Sequence, residues 1–218
     1  MCKVPRVTSA PRTRVQLDGR CKVCRESLVD EACPNTVCRL PDRDFSQIFT
    51  LSDDAEEMWQ LIYRYKYGDE RHLADDLGRM LVKFLEDNRA ELQRFDLFTT
   101  VALYIGPQAP RLWDYLQLIV DAAERIDEGW PFATNVITKV QPTGRFLGIG
   151  VRERRAIAEG ELRSALRVPA PSQVEDKRVL VIDDAYSEGF TLREMARALR
   201  RAGATEVAGL VFARRKGA

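Results

Sequence analysis

Two adjacent acids and a hydroxyl-bearing loop follow a short apolar run near the carboxyl end of the chain. The apolar run is residues 179–182, Asp183 and Asp184 follow it, and residues 185–191 form the loop. An ionised aspartate only accepts hydrogen bonds, which suits the two O–H donors of a ribose diol. Hydroxyls and a glycine let backbone N–H groups approach a phosphate closely. The pattern predicts a ribose 5-phosphate site, with a plain helix cap by Thr191 and Glu194 as the alternative.

A second group of residues able to do chemistry is a set of four cysteines near the amino end. Cys21 and Cys24 have the spacing of a zinc knuckle, and Cys33 and Cys38 supply a second pair. Four thiolates suit tetrahedral zinc, and this segment has few large apolar side chains that could stabilise it without a metal. Reduced, partly buried thiols or a redox pair are the alternative. We predict a structural zinc site.

The elements that must position these residues alternate along the chain. Apolar residues at helical spacing predict four helices, at residues 52–68, 73–88, 111–126 and 191–202. Apolar runs predict four strands, at residues 97–105, 134–140, 178–183 and 207–213. Glycines 144, 148 and 150 indicate a long loop or mobile hairpin that carries several arginines. This alternation predicts an α/β fold with a parallel sheet covered on both faces.

Charge and composition argue against several classes of protein. The 34 basic and 33 acidic residues nearly cancel, so direct nucleic-acid binding through bulk positive charge is not expected. No apolar run approaches the roughly 18 residues of a membrane span. Residues 1–20 carry five basic residues and one acidic residue but no apolar centre of a secretory signal. We expect a cytoplasmic protein with a flexible basic arm at 1–20, a zinc knuckle at 21–45 and an α/β domain at 46–218.

Three segments resemble a known family. VLVIDDAYSEGFT, residues 179–191, resembles the phosphoribosyl-diphosphate signature of type I phosphoribosyltransferases. Its continuation TLREMARALRRAGATEVAGLVFARR and the earlier QLIYRYKYGDERHLADDLGRMLVKFL are similar to the ComF-like branch, whose members also begin with a cysteine knuckle. The resemblance implies a phosphoribosyltransferase-type, mostly parallel sheet flanked by helices, with a small N-terminal zinc-knuckle module.

The resemblance also implies roles for particular residues. Asp183 and Asp184 would bind the ribose hydroxyls and help to organise magnesium. The 5-phosphate would be wrapped by Ala185, Tyr186, Ser187, Glu188, Gly189, Phe190 and Thr191. The family has two threonines where this chain has Ser187 and Glu188.

A second departure concerns the pyrophosphate. Where ComF-like proteins carry several arginines, the stretch ALYIGPQAPRLWDYLQ has Arg111 as its only basic residue. Arg152, Arg154 and Arg155 could close over the site and replace the missing cations, and we take Arg154 and Arg155 with the acid pair as catalytic candidates. A solvated charge run is the alternative.

Three functions fit the sequence. The first is a phosphoribosyltransferase, a glycosyltransferase that uses magnesium and moves ribose phosphate to an unidentified acceptor with release of pyrophosphate. The second is a non-catalytic sensor of phosphoribosyl diphosphate or a nucleotide, favoured by the missing arginines. The third, implied by the ComF resemblance, is an accessory to DNA uptake or repair whose zinc knuckle docks a protein partner such as a helicase, or a single strand of DNA. Both a monomer and a homodimer remain open.

Overall fold

The centre of the molecule is a four-stranded parallel sheet. The computed structural model describes residues 19–52, 55–109, 112–146 and 148–214, so residues 1–18 of the predicted basic arm lie outside the description. The strands of this sheet are β1 (Ile48–Thr50), β2 (Leu97–Thr100), β5 (Arg178–Tyr186) and β6 (Glu206–Arg214). Their order is β1-β6-β5-β2, and every neighbouring pair is parallel. A separate antiparallel pair is formed by β3 (Thr138–Lys139) and β4 (Leu166–Arg167).

Helices surround the sheet, as the sequence predicts. They are α1 (Thr36–Arg39), α2 (Ala55–Tyr67), α3 (Leu73–Asp87), α4 (Arg89–Leu92), α5 (Tyr115–Ile126), α6 (Val151–Ile157), α7 (Arg163–Ala165) and α8 (Phe190–Arg201). A π-helical turn, Ala158–Leu162, joins α6 to α7. Among the described residues, no helix combines the length and apolar character needed to cross a membrane.

Strand β5 lies between β2 and β6 and forms the middle of the core. Residues 179–182 are fully buried, since a parallel strand with helices on both faces has no solvent side. Val179 lies opposite Leu97 on β2 and Val207 on β6. Helices α3 and α5 approach closely at Gly78, where an added Cβ would lie 2.7 Å from the Cβ of Ala122. The predicted α/β fold with a helix-flanked parallel sheet is therefore confirmed.

Several predicted element boundaries are wrong. The strand predicted at 97–105 ends at Thr100, and the one predicted at 134–140 spans only Thr138–Lys139. An additional strand, β1, precedes α2 and α3. Helix α5 begins at Tyr115, because Asp114 caps it by accepting from the N–H groups of the second and third helical residues. Leu112, which lies inside the helix predicted at 111–126, precedes α5 and is 89% exposed.

The predicted loop or hairpin after Gly150 is also wrong. Residues 151–165 form a nearly continuous helical segment made by α6, the π-helical turn and α7. Its buried side is formed by Ala158, Leu162 and Ala165, which recur at helical spacing. Gly144 and Gly148 lie before this helical segment and do not interrupt it. The arginines at 152, 154 and 155 are therefore carried on a helix.

Candidate functional site

The acid pair lies at the point where the central strand loses its neighbour. The last residue of β2, Thr100, is opposite Ile182, so Asp183 and Asp184 extend past the end of β2. In an open α/β sheet, ligands bind outside this carboxyl edge. Here the edge opens into a cavity of about 410 Å³, and both acids line it. The fold thus places the two predicted carboxylates at the carboxyl edge of the sheet, where the cavity opens.

Asp184 is held by two partners from distant parts of the chain. Lys66 Nζ donates to its Oδ2 at 2.8 Å, and the Tyr115 hydroxyl donates to its Oδ1 at 2.7 Å. The Lys66 and Asp184 side chains are each only 8% exposed. Burial raises the pKa of Asp184, but Lys66 and the hydrogen bonds from Asp183, Lys66 and Tyr115 outweigh it, and the pKa falls below its ordinary value. Asp184 is therefore a fixed anion.

Asp183 has the opposite electrostatic character. It is partly exposed to the cavity, and its Oδ1 accepts the backbone N–H of Asp184 at 2.8 Å. Burial and the neighbouring Asp184 carboxylate raise the pKa of Asp183 well above its ordinary value. The two acids therefore differ: Asp184 is committed to Lys66, whereas Asp183 faces the space where a ligand would lie. The role assigned to them as a matched diol-binding pair stays a prediction.

The loop after the acids alternates between cavity-facing and buried residues. Ala185, Ser187 and Thr191 line the cavity, whereas Tyr186 and Phe190 are buried. A turn in the left-handed region joins the two halves of the loop, because Gly189 has a φ of +87°. The helix that follows begins at Phe190, one residue earlier than predicted, and no side chain caps it. The proposed capping box of Thr191 is therefore absent, and the loop is free to present backbone N–H groups.

Glu188 is neutralised inside the loop. Arg154 Nη1 donates to both carboxylate oxygens of Glu188, at 2.7 and 2.9 Å, and the Ser187 hydroxyl donates to one of them at 2.8 Å. The Arg154 and Glu188 side chains are 18% and 8% exposed. One of the arginines predicted to meet pyrophosphate therefore meets a carboxylate of the phosphate loop.

The other predicted cations lie elsewhere. Arg155 pairs with Glu159 on the exposed side of α6, and Arg152 is exposed; neither lines the cavity. Arg111 lies outside the described residues. Arg145, from the segment before α6, does line the cavity. The catalytic assignment of Arg155 and the ligand-binding assignment of Arg111 stay predictions.

Three site residues escaped the sequence analysis: Lys66, Tyr115 and Lys139. Lys66 lies 118 positions from its partner Asp184, so no local pattern could indicate the pairing. Tyr115 had a local signal, because Asp114 followed by Gln117 has the form of a capping box that starts a helix at 115. Lys139 Nζ donates to Thr143 Oγ1 at 2.7 Å, and burial lowers the pKa of Lys139. The cavity thus contains an unforeseen lysine on each of two elements.

The four cysteines come together as predicted. Their Sγ atoms all lie within 4.8 Å of one another, and Cys24 and Cys33 are 3.7 Å apart. For zinc–sulfur bonds of about 2.3 Å, the edge of a tetrahedron is about 3.8 Å, so the donor set fits zinc. All four are buried, unlinked thiols. A hydrogen bond from Cys38, with smaller contributions from its other neighbours, lowers the pKa of Cys24 to about 6 despite burial. The cluster could therefore bind a metal such as zinc.

Comparisons with known proteins agree with these features. A family model described as "Phosphoribosyl transferase domain" matches residues 127–218, which include β5, the loop and α8. DNA utilization protein YhgH of Escherichia coli (strain K12) is 26% identical over 208 residues, 87% of this chain and 87% of its own length. Competence protein F of Haemophilus influenzae is 23% identical over 180 residues, 80% of this chain and 75% of its own length.

Among solved structures, one described as the allosteric regulatory enzyme of purine biosynthesis is 26% identical, with a TM-score of 0.38, over 65% of this chain and 25% of its own. Glutamine phosphoribosylpyrophosphate amidotransferase from B. subtilis is 27% identical, with a TM-score of 0.39, over 65% of this chain and 26% of its own. The chain spans about a quarter of the length of each. The matched domain and the two curated relatives support a ComF-like branch of the phosphoribosyltransferase family for this chain.

Proposed function

We propose that the chain binds the ribose 5-phosphate part of phosphoribosyl diphosphate at the acid pair and residues 185–191. The observation that carries this proposal is Asp183, an acceptor that lies on the central strand β5 just beyond its last pair with β2, faces the cavity and comes shortly before the glycine turn of residues 185–191. The match to a phosphoribosyl transferase domain over 127–218 supports it.

The residues have separate roles in this proposal. Asp183 accepts from a ribose hydroxyl, while Lys66 and Tyr115 fix Asp184 beside it. Backbone N–H groups of residues 187–191 bind the 5-phosphate, and the amino end of α8 favours its negative charge. The cavity of about 410 Å³ leaves room beyond the sugar for the pyrophosphate and a small acceptor.

The proposed reaction is a displacement at the anomeric carbon. The bond from this carbon to the pyrophosphate oxygen breaks with its electron pair leaving on pyrophosphate, and a bond to the acceptor forms. Lys139 and Arg145 line the cavity and are the cations that would stabilise this negative charge. Asp183, rather than the already bonded Asp184, would hold magnesium together with the phosphates of the ligand. The bound ion would neutralise charge on the leaving group.

The sensor remains the second candidate, and one observation favours it. Arg155 pairs with Glu159 outside the cavity, and Arg154, which lines the cavity, is already bonded to Glu188. The names of the curated relatives, DNA utilization protein and Competence protein F, add a third proposal: a role in DNA use through a protein partner. A formal net charge of +1 favours contact through such a partner over direct DNA binding.

The cysteine segment has its own place in the proposal. We take residues 21–45 as a module stabilised by zinc at Cys21, Cys24, Cys33 and Cys38, attached to an α/β body of 46–218. Four reduced thiols at this spacing suit the cytoplasm, where disulfides are rare.

Calorimetry with ribose 5-phosphate and phosphoribosyl diphosphate tests the binding proposal. Wild type should bind both, and Asp183→Asn should bind each at least about tenfold more weakly, because a hydrogen bond to a charged acceptor contributes about 1.5–3 kcal/mol. Asp76→Asn, which changes a surface carboxylate paired with Arg79, is the matched control. Equal affinities in wild type and Asp183→Asn would remove the diol role. Pyrophosphate release in a nucleobase screen then separates the enzyme from the sensor.

A further inference from the structure

The cysteine segment contacts the proposed phosphate loop directly. Asn35, between the third and fourth cysteines, caps α1: its Oδ1 accepts from Val37 N–H at 3.1 Å. Its Nδ2 donates to the backbone carbonyl of Ser187 at 2.5 Å. One amide side chain therefore fixes both the turn that carries Cys38 and the backbone of the loop.

A second contact joins the same two regions through a buried tyrosine. The Tyr186 hydroxyl lies 3.3 Å from Cys38 Sγ, and its ring packs edge-on against Phe45 with ring centroids 6.4 Å apart. A Cβ at Gly189 would lie 2.6 Å from the Tyr186 hydroxyl, so the loop turn rests on this side chain. Tyr186 is thus both a neighbour of a predicted metal ligand and the support of the glycine turn.

Ion pairs extend the contact to the helix that follows the loop. Arg193 on α8, with a side chain only 6% exposed, donates to Asp42 at 2.6 Å and to Glu159 at 2.7 Å. Arg197 also pairs with Asp42, at 2.9 Å. Both of these α8 arginines therefore bind Asp42, at the end of the cysteine segment. The segment is therefore fixed to both ends of the loop.

We propose that Asn35 and Tyr186 are positioning residues that couple metal binding at the four cysteines to the conformation of residues 185–191. The proposal rests on the ribose-phosphate site described above. A phosphate is bound by several backbone N–H groups at once, and these must converge before the ligand arrives. Outer-shell partners of metal ligands orient those ligands, and Tyr186 is such a partner for Cys38. A metal-filled cluster holds Cys38, and through Asn35 and Tyr186 it holds the loop.

Two conservative substitutions test the coupling. Asn35→Asp keeps an oxygen to cap α1 but replaces the Nδ2 donor with a carboxylate facing the Ser187 carbonyl. Tyr186→Phe keeps the ring under Gly189 but removes the hydroxyl near Cys38. The matched controls are Asn135→Asp and Tyr63→Phe, both at exposed positions. Each protein is measured for zinc content by mass spectrometry, for thermal unfolding, for hydrogen exchange of residues 185–191 and for ribose 5-phosphate affinity by calorimetry.

The expected result separates positioning from folding. Asn35→Asp should retain one zinc per chain, exchange the loop amides faster than wild type and bind ribose 5-phosphate about tenfold more weakly. Tyr186→Phe should move the same two readouts in the same direction by a smaller amount. Unchanged loop exchange in both zinc-loaded variants would overturn the coupling. If wild type does not bind ribose 5-phosphate, the proposed function fails, and loop exchange still decides whether the two residues position the loop.

Discussion

The carboxylate of Glu188 is an anion inside a loop proposed to bind an anion, and replacing it gives the sharpest prediction. Glu188→Gln keeps the size and hydrogen-bonding shape of the side chain but removes its charge. Arg154 and the Ser187 hydroxyl both bond to this carboxylate in the structure, so both are diverted from any ligand. We expect Glu188→Gln to bind ribose 5-phosphate more tightly than wild type.

The magnitude follows from the ion pair. Two unit charges about 5 Å apart, at an effective dielectric constant of about 20, repel by about 3 kcal/mol. Glu188→Gln removes this repulsion and leaves Arg154, which lies 2.7 Å from Glu188, in place. Recovery of about half of the repulsion, about 1.4 kcal/mol, already corresponds to a tenfold gain in affinity. Arg154→Ala should have the opposite effect, because it leaves the buried Glu188 unpaired and exposes the phosphate to the full repulsion.

A double-mutant cycle distinguishes this explanation from direct contact. Calorimetry with ribose 5-phosphate is run on wild type, Glu188→Gln, Arg154→Ala and the double variant, with the exposed Glu153→Gln as the matched control. If Arg154 acts only by neutralising Glu188, its removal should matter little in the Glu188→Gln background. Equal losses in both backgrounds, or weaker binding by Glu188→Gln with unchanged thermal unfolding, would refute the reasoning. A loss confined to phosphoribosyl diphosphate would instead place Arg154 at the pyrophosphate.

Three further predictions concern the metal and the acid pair. The purified protein should contain about one zinc per chain, and Cys21→Ser with Cys24→Ser should release it; full retention by mass spectrometry would contradict the assignment. Asp183→Asn should unfold at a higher temperature than wild type near pH 7. The raised pKa means that Asp183 stabilises the fold below about pH 4, where it is protonated in both the folded and the unfolded chain, and that this contribution is lost as the pH rises through the folded-state pKa. The gain should shrink towards pH 4 in a melting series, and a constant gain would contradict the burial argument. Lys66→Met should destabilise the protein by about 3–5 kcal/mol in denaturant unfolding, since it leaves Asp184 buried without its cation; a loss below about 1 kcal/mol would contradict the pairing.

The sequence predicts the middle of the fold well and its edges poorly. Residues 179–182 and 207–213 form uninterrupted runs without charged residues because both strands are buried on both faces. The structure extends the strands predicted at 178–183 and 207–213 by only one to three residues at an end. Strand β1 has three residues and carries no comparable signal; it is a strand only because it pairs with β6. Residues 101–105 are apolar like a strand, but they line the cavity beyond the last β2–β5 pair. An apolar run therefore does not distinguish a strand of the sheet from an apolar wall of the cavity.

Local motifs in the candidate site were predictable, and long-range pairings were not. Cysteine spacing predicts the cluster, since the ligands lie within a short segment. Asp183 and the glycine turn are also local. Lys66 approaches Asp184 only because α2 packs near the carboxyl edge of β5, and Arg154 reaches Glu188 from a helix 34 residues away. Such pairings depend on how helices and strands pack in three dimensions, and local sequence patterns do not reveal that packing.

The charges around the cavity bear on the choice between transferase and sensor. Among the described residues that line it or pair into its loop, the cations are Lys66, Lys139, Arg145 and Arg154, and the carboxylates are Asp183, Asp184 and Glu188. Two of these cations are already bonded to carboxylates, so binding a phosphate draws mainly on backbone N–H groups and the amino end of α8. Release of pyrophosphate needs more, because the negative charge grows on the leaving group as the bond breaks. In the part of the chain that the structure describes, Lys139 and Arg145 are the two cavity cations that form no ion pair, and the proposed transfer would depend on them in a way that binding would not. Loss of transfer with retained binding on changing these two residues is therefore the behaviour expected of an enzyme, whereas a sensor has no transfer to lose.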